Sequence, residues 1–241
     1  MKKASAFKLR PRTPVVVVLD FDGTITELDV VDALLVGFAQ GRQWIEAEKA
    51  WAAGALSSEE CLKRQLGSVR ITPKDLGDFL KNIPLDPGFK ALRKALARSR
   101  VPLIVLSDGF DLFIRRYLKL HGVAGVPFRS NALRHAGEIL KPSFPHKSRS
   151  CGKCGHCKRA SIAEIRERAG RVIFAGDGLS DACAARASDV VFAKGKLARF
   201  CEDSRIPFIP YKNLLDVAAE IPALLKTAPA RRAPREKILR A

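Results

Sequence analysis

Two aspartates separated by a single residue, Asp20 and Asp22, follow directly on the apolar run Val15-Val16-Val17-Val18-Leu19. At that spacing both carboxylates can point to one side of an extended chain while Phe21 points into packing. Carboxylates held this close resist being ionised together, and a divalent cation or a shared proton relieves the repulsion. With their roles divided, one can act as nucleophile and the other as acid. Gly23 permits a sharp turn, and Thr24 closes the segment. The same five residues also read as a turn capping a strand. Alone they do not choose between the two readings.

Three more polar clusters fall at or near the ends of such runs or at the start of a helical pattern. Ser107-Asp108-Gly109 follows Val101–Leu106 and precedes a helical pattern starting at Phe110. A hydroxyl and free backbone N–H groups at a helix N-terminus suit a phosphate oxygen, although such a segment is equally an ordinary cap. Lys158 lies at the start of the helical pattern Cys157–Ala169. A lysine there opposes the helix dipole, which makes sense if it faces an anion and otherwise marks a surface charge. Gly176-Asp177-Gly178-Leu179-Ser180-Asp181 follows Arg171–Ala175. Its two acids, four apart, can supply one hard oxygen ligand for Mg²⁺ and one group that anchors it.

These clusters need elements that bring them to one edge. Buried strands are predicted at Val15–Leu19, Val101–Leu106, Arg171–Ala175 and Val190–Ala193, with a short proline-bounded one at Ile206–Ile209. Between them lie helical patterns at Phe110–Leu120, Cys157–Ala169, Leu179–Ala187, Lys196–Cys201 and Leu214–Leu225. The alternation predicts an α/β fold, a doubly wound, mostly parallel, Rossmann-like sheet that binds ligands at the carboxyl ends of its strands. Residues 28–83 break the alternation with helical patterns only, roughly Asp29–Gln40, Gln43–Ala53, Ser58–Gly67 and Pro73–Lys81. They read as a helical cap inserted into a core of residues 14–27 and 84–226. Basic tails, residues 1–13 and 227–241, flank the whole.

The 241 residues are 47% hydrophobic, ample for a core, and no apolar run approaches the ~20 residues of a membrane span. A soluble cytoplasmic protein is expected. The net charge of +18 invites a nucleic-acid partner as the rival class. Most of it lies in the two tails and in residues 141–159. These runs lack the interleaved aromatics that stack on bases, so the tails read as solubilising and nucleic acid is disfavoured. Cys61, Cys183 and Cys201 fall in helical patterns and read as small buried hydrophobes. Cys151, Cys154 and Cys157 cluster around His156. Zn²⁺ on these thiols is one reading, but a second ligand pair is missing and His156 is awkwardly adjacent to Cys157. The favoured reading is a substrate-proximal loop of thiols in a basic setting.

In this order, the four clusters resemble the haloacid dehalogenase (HAD) superfamily of phosphohydrolases, across most of residues 15–225. The resemblance implies that Asp20 attacks phosphorus to give an aspartyl-phosphate, and that Asp22 protonates the leaving oxygen and then activates water. It implies phosphate binding by Ser107, Asp108, Gly109 and Lys158. It further implies Mg²⁺ held by Asp20, the backbone carbonyl of Asp22 and Asp177, with Asp181 in support. The helical cap is similar to that of the phosphoserine-phosphatase-like branch. There Asp29 matches an acid for the substrate amine, and the substrate-binding arginine aligns with Gln65, beside Arg64. The segment Cys151–Lys158, Gly176–Asp181 and Phe192-Ala193 are similar to the methionine-salvage phosphatases acting on 2-hydroxy-3-keto-5-methylthiopentenyl-1-phosphate. The phosphoethanolamine/phosphocholine phosphatases share a similar cysteine-rich entry. The implied substrate is a small phosphorylated metabolite, that of methionine salvage first.

Overall fold

The computed structural model describes residues 7, 9–11, 13–148 and 153–226. These residues form a seven-stranded sheet of order β4-β3-β2-β1-β5-β6-β7. The strands are β1 (Thr13–Leu19), β2 (Leu103–Phe110), β3 (Phe128–Ala136), β4 (Ile139–Ser143), β5 (Ala169–Gly176), β6 (Val190–Ala193) and β7 (Ile209–Pro210). All neighbours pair in parallel except β3 and β4, which form an antiparallel hairpin at one edge.

The valine run explains why β1 is central. Val17 and Leu19 face one core, and Val16 and Val18 face the other. That is the period-two alternation of a strand covered on both sides. Helices α5 (Phe89–Arg98), α6 (Asp111–Leu120) and α10 (Leu214–Lys226) contribute to the first core, for example through Leu92, Phe113 and Val217. Helices α7 (Lys158–Arg166), α8 (Ala182–Ala187) and α9 (Gly195–Asp203) close the second through Ile162, Ala184 and Leu197. Strand order reverses at β1, between β2 and β5, so a crevice opens at the carboxyl end of β1 where Asp20 emerges.

Between β1 and α5 run α1 (Val30–Phe38), α2 (Gln43–Ala52), α3 (Ser58–Gly67) and α4 (Pro73–Asn82). The chain leaves and returns through a narrow neck, where Thr26 bridges Leu85 and the Glu27 N–H donates to the Pro84 carbonyl at 3.1 Å. No helix of the described residues is long and apolar enough to cross a membrane.

Three elements differ from the sequence expectation. The hairpin β3–β4 was not anticipated, because Arg129, Ser130 and Asn131 are polar yet buried, which hides the strand's pattern. The last short strand falls at Ile209–Pro210 instead of Ile206–Ile209. Most consequentially, β2 does not stop at Leu106. It continues to Phe110 and bulges, since Leu106 pairs with Arg129 but Phe110 pairs with Asn131. Four steps on β2 thus span two on β3. Ser107-Asp108-Gly109 is therefore a strand bulge and not the cap of a helix, and α6 starts only at Asp111. Bulges of this kind re-aim side chains beside active sites.

Candidate active site

The carboxyl ends of β1, β2 and β5 and the N-terminus of α7 converge on one buried polar cluster. The Asp20 N–H donates to the Ala175 carbonyl at 2.9 Å, which ties the exit of β1 to the end of β5. Lys158 is 2% exposed. Its Nζ donates to Asp20 Oδ1 and to Asp181 Oδ1, each at 2.6 Å. Burial opposes the ammonium charge, but the Asp181 and Asp20 carboxylates outweigh it and hold Lys158 above the ordinary lysine range. A buried charge with two close counter-charges is a specific arrangement, because neither sign could be left alone there.

Asp22 sits at the wall facing the bulge. Its Oδ2 accepts from Ser107 Oγ at 3.2 Å, and its Oδ1 accepts from the Val30 N–H at 3.1 Å. Ser107 Oγ in turn accepts from the Gly109 N–H at 2.8 Å. A Cβ on Gly109 would lie 2.7 Å from Asp22 Oδ2, so only glycine lets the bulge and Asp22 approach this closely. Burial and the nearby Asp29 charge push the Asp22 carboxyl well above its ordinary range. Asp20 is pushed the same way by burial and then by Asp181, with Lys158 opposing.

Asp177 and Asp181 complete the cluster. Thr24 Oγ1 donates to Asp177 Oδ1 at 3.2 Å. Burial and the neighbouring Asp181 push Asp177 up to about 6. Asp181 has both oxygens engaged. One accepts from Lys158, and the other accepts the N–H groups of Asp177 at 3.2 Å and Gly178 at 3.3 Å. Asp20, Asp177 and Asp181 each place an oxygen within 4.8 Å of the others. An all-oxygen, carboxylate-rich set suits a hard divalent cation. Asp20 and Asp177 are the better placed to ligate, since Asp181 is already committed to holding Lys158 and the loop.

Above the cluster lies a cavity of about 360 Å³. Asp20, Asp22, Asp108, Gly109 and Asp177 line its core side, and helices α1–α3 supply the opposite wall. That wall mixes acids (Asp29, Asp32, Glu48) with apolar groups (Val31, Trp51, Leu62). Asp29 has a structural task as well, because its Oδ1 caps α1 by accepting from the Val31 and Asp32 N–H groups. Arg64 does not line the cavity. It is exposed, and the next residue, Gln65, is buried and faces inward, since successive helical residues turn by about 100°. Gln65 Nε2 donates to Glu48 at 2.9 Å. Ser107 and Lys158 lie beneath the cavity floor and are not in its lining.

The cysteine cluster falls partly outside the description, since Cys151 is not among the described residues. Cys154 is half-buried and Cys157 is buried. None of residues 153–157 lines the cavity. His156 is not available as a zinc ligand, because both ring nitrogens are hydrogen-bonded within the protein. The loop packs instead against the bulge and α3. Lys147 pairs with Glu59 at 2.5 Å, and the Ser58 N–H donates to the Lys153 carbonyl at 2.9 Å. Sequence reasoning also missed Tyr211, Asn131 and Lys196. Tyr211 lies 3.3 Å from Thr24 Oγ1, Asn131 Nδ2 donates to the Asp108 carbonyl at 2.6 Å, and Lys196 lines the cavity. No local pattern marks any of them.

Comparisons with known proteins identify the family and the fold. A family model described as "Putative Phosphatase" matches residues 15–198. A 2-hydroxy-3-keto-5-methylthiopentenyl-1-phosphate phosphatase of an Exiguobacterium species is 30% identical over 207 residues, covering 84% of this chain and 95% of that protein. A protein of the same name from Bacillus mycoides is 29% identical over 215 residues, covering 86% and 95%. Among solved structures, a phosphoserine phosphatase captured as a phospho-aspartyl intermediate analogue superposes with a TM-score of 0.66. It is 15% identical and covers 87% of this chain and 99% of its own.

Proposed function

The chain belongs to the Putative Phosphatase family, and from that premise we propose that it hydrolyses a small phosphate monoester through an aspartyl-phosphate on Asp20. The observation that carries this reading is the buried Lys158 ammonium, 2.6 Å from both Asp20 and Asp181, directly behind a carboxylate that opens into a cavity. A nucleophilic carboxylate must approach a dianionic ester, and a fixed positive charge behind it offsets the repulsion.

In the first step an Asp20 oxygen bonds to phosphorus while the phosphorus–oxygen bond to the alcohol breaks. The Asp22 carboxyl proton passes to the leaving oxygen. The raised affinity of Asp22 for its proton suits that donation. In the second step a water gives a proton to Asp22 and attacks phosphorus, the Asp20–phosphorus bond breaks, and inorganic phosphate leaves. Ser107 Oγ, by turning its proton from Asp22 Oδ2, and the backbone of Asp108 and Gly109 would hold the phosphoryl oxygens. Asp20, Asp177 and the Asp22 carbonyl would hold Mg²⁺, with Asp181 in support. When bound, that ion neutralises charge on the phosphoryl oxygens.

For the substrate we favour 2-hydroxy-3-keto-5-methylthiopentenyl-1-phosphate, the compound named for the relatives. Val31, Trp51 and Leu62 offer an apolar wall for a methylthio group, and Gln65 offers an amide for its oxygens. Helices α1–α4 would act as the cap that encloses it, in a cytoplasmic enzyme. One observation favours a second reading. Asp29, Asp32 and Glu48 suit a cationic amine, as in phosphoethanolamine, phosphocholine or phosphoserine. For phosphoserine, α3 presents Gln65 where a carboxylate would want an arginine.

Two measurements test these readings. Asp20→Asn should lower Mg²⁺-dependent hydrolysis of para-nitrophenyl phosphate by about a thousand-fold or more with the fold intact. Wild-type activity in that variant would sink the mechanism. A panel of phosphorylated metabolites should give the highest kcat/KM for the methylthio enol compound. Preference for an amino phosphate would transfer the assignment to the second reading.

A further inference from the structure

His156 lies outside the cavity, and two of its hydrogen bonds go to the Ser107–Gly109 bulge. Its Nδ1 is 2.8 Å from the Ser107 carbonyl, and its Nε2 is 2.8 Å from Ser161 Oγ. Its backbone N–H donates to Asp108 Oδ1 at 2.6 Å. The tautomer follows from the partners. A carbonyl only accepts, so Nδ1 carries the proton, and Nε2 must then accept from the Ser161 hydroxyl. Arg129 Nη1 donates to Ser161 Oγ at 3.1 Å, which leaves that hydroxyl's proton for His156. The result is a fully satisfied buried chain, Arg129 to Ser161 to His156 to Ser107, in which every residue is 7% exposed or less.

The bulge needs such a chain. Its Ser107 carbonyl lies where the β2–β3 ladder slips, so strand pairing alone does not dictate its direction. The loop approaches closely because residue 155 is glycine. A Cβ there would sit 2.9 Å from Asp108 Oδ1 and 3.0 Å from Asn131 Nδ2. We propose that His156 is a positioning residue for phosphate binding: its neutral imidazole clamps the Ser107 carbonyl and so aims Ser107 Oγ at the phosphoryl group. This rests on Ser107 being a phosphate ligand, as argued above.

The test uses the full chain with Mg²⁺ and compares His156→Asn with His156→Gln. An asparagine amide reaches the Nδ1 position and restores a donor to the Ser107 carbonyl. A glutamine amide reaches only toward Ser161. The kcat/KM for para-nitrophenyl phosphate should fall about 10- to 100-fold in His156→Gln, the range seen when an orienting partner is lost, and clearly less in His156→Asn. The inhibition constant of inorganic phosphate should rise in parallel. In a Ser107→Ala background, His156→Gln should cost little more, because its effect has already been removed. Equal losses in the two variants, or an undiminished loss in Ser107→Ala, overturn the proposal. Full activity of Ser107→Ala by itself would instead overturn the phosphate role of Ser107. Circular dichroism on each variant separates these results from unfolding, and if His156→Gln fails to fold, His156→Asn with the Ser107→Ala cycle carries the comparison. Wild-type behaviour of His156→Leu would equally overturn it.

Discussion

Gly23 packs against the Asp177 carboxylate so tightly that a Cβ at position 23 would overlap it. Gly23 also has φ of +68°, a left-handed conformation that L side chains rarely adopt. The turn leaving β1 and the loop leaving β5 are thus fitted to one another through the absence of a side chain. Gly23→Ala must displace Asp177 or distort the turn. We expect a stability loss of about 1–2 kcal/mol from the backbone conformation, and a larger fall in activity. Added Mg²⁺ should restore part of that activity, because a displaced ligand weakens metal binding. An Mg²⁺ titration of activity in the variant checks this, and an unchanged half-saturation point would contradict it.

Lys158 has no tolerant substitute. Lys158→Met leaves the Asp20 and Asp181 carboxylates facing each other in a buried site. Breaking a buried pair from one side costs about 3–5 kcal/mol. Asp20 and Asp177 bind protons more tightly folded than unfolded, since burial pushes both carboxyls upward. Their folded form is therefore favoured at low pH and penalised as pH rises through their raised folded values. The stability deficit of Lys158→Met should shrink from pH 8 to pH 5. Denaturant melts in the presence of a chelator measure it, and a pH-independent deficit would show that the carboxylates are not the cause.

Asp22 should separate substrates by leaving group. General-acid assistance contributes about 10²- to 10⁴-fold when the leaving oxygen is a poor one. Asp22→Asn should therefore slow formation of phospho-enzyme from an alkyl phosphate far more than from para-nitrophenyl phosphate. Single-turnover measurements on both esters read this directly. Equal losses would remove Asp22 from the acid role.

His156 predicts an acid-sensitive fold. Burial, with the nearby positive charges of Lys158 and Arg129 and the His146 ring contributing, lowers its imidazole to about 3. An unfolded histidine titrates near 6.5. Below that value the unfolded chain takes up a proton that the folded chain refuses, so stability falls with pH between about 6.5 and 3. Over that window the slope from this residue is about 1.4 kcal/mol per pH unit. Chemical denaturation of wild type and His156→Asn at pH 7.5, 6 and 5 tests it. The two stability curves should converge as the pH falls, and parallel curves would contradict the reading.

Much of this molecule was written locally. The run Val15–Leu19 reads as a strand buried on both faces, and polar clusters at or near strand ends single out Asp20, Asp22, Ser107, Lys158, Asp177 and Asp181, which the fold gathers in one place. A strand's alternation and a helix's spacing are short-range properties, and a chain that obeys them brings its strand ends to one edge of the sheet. What local pattern could not supply was anything that depends on partners distant in sequence. Arg129 and Asn131 carried no signal, yet they are buried, with Glu164, Ser161 and Asp108 accepting their N–H groups from other elements. The bulge at Ser107–Gly109 arises only when β2 meets β3, so its reading as the cap of a helix failed. Gln65 displaced Arg64 from the cavity because the orientation of α3 against the sheet is set by packing. The described part of the cysteine-rich loop lies against the bulge, since only the fold brings His156 to Ser107 across 49 residues of chain. The sequence by itself determined which side chains are candidates for the chemistry. Tertiary structure decided how they are held, because holding requires hydrogen-bond partners and close approaches that spacing along the chain does not encode.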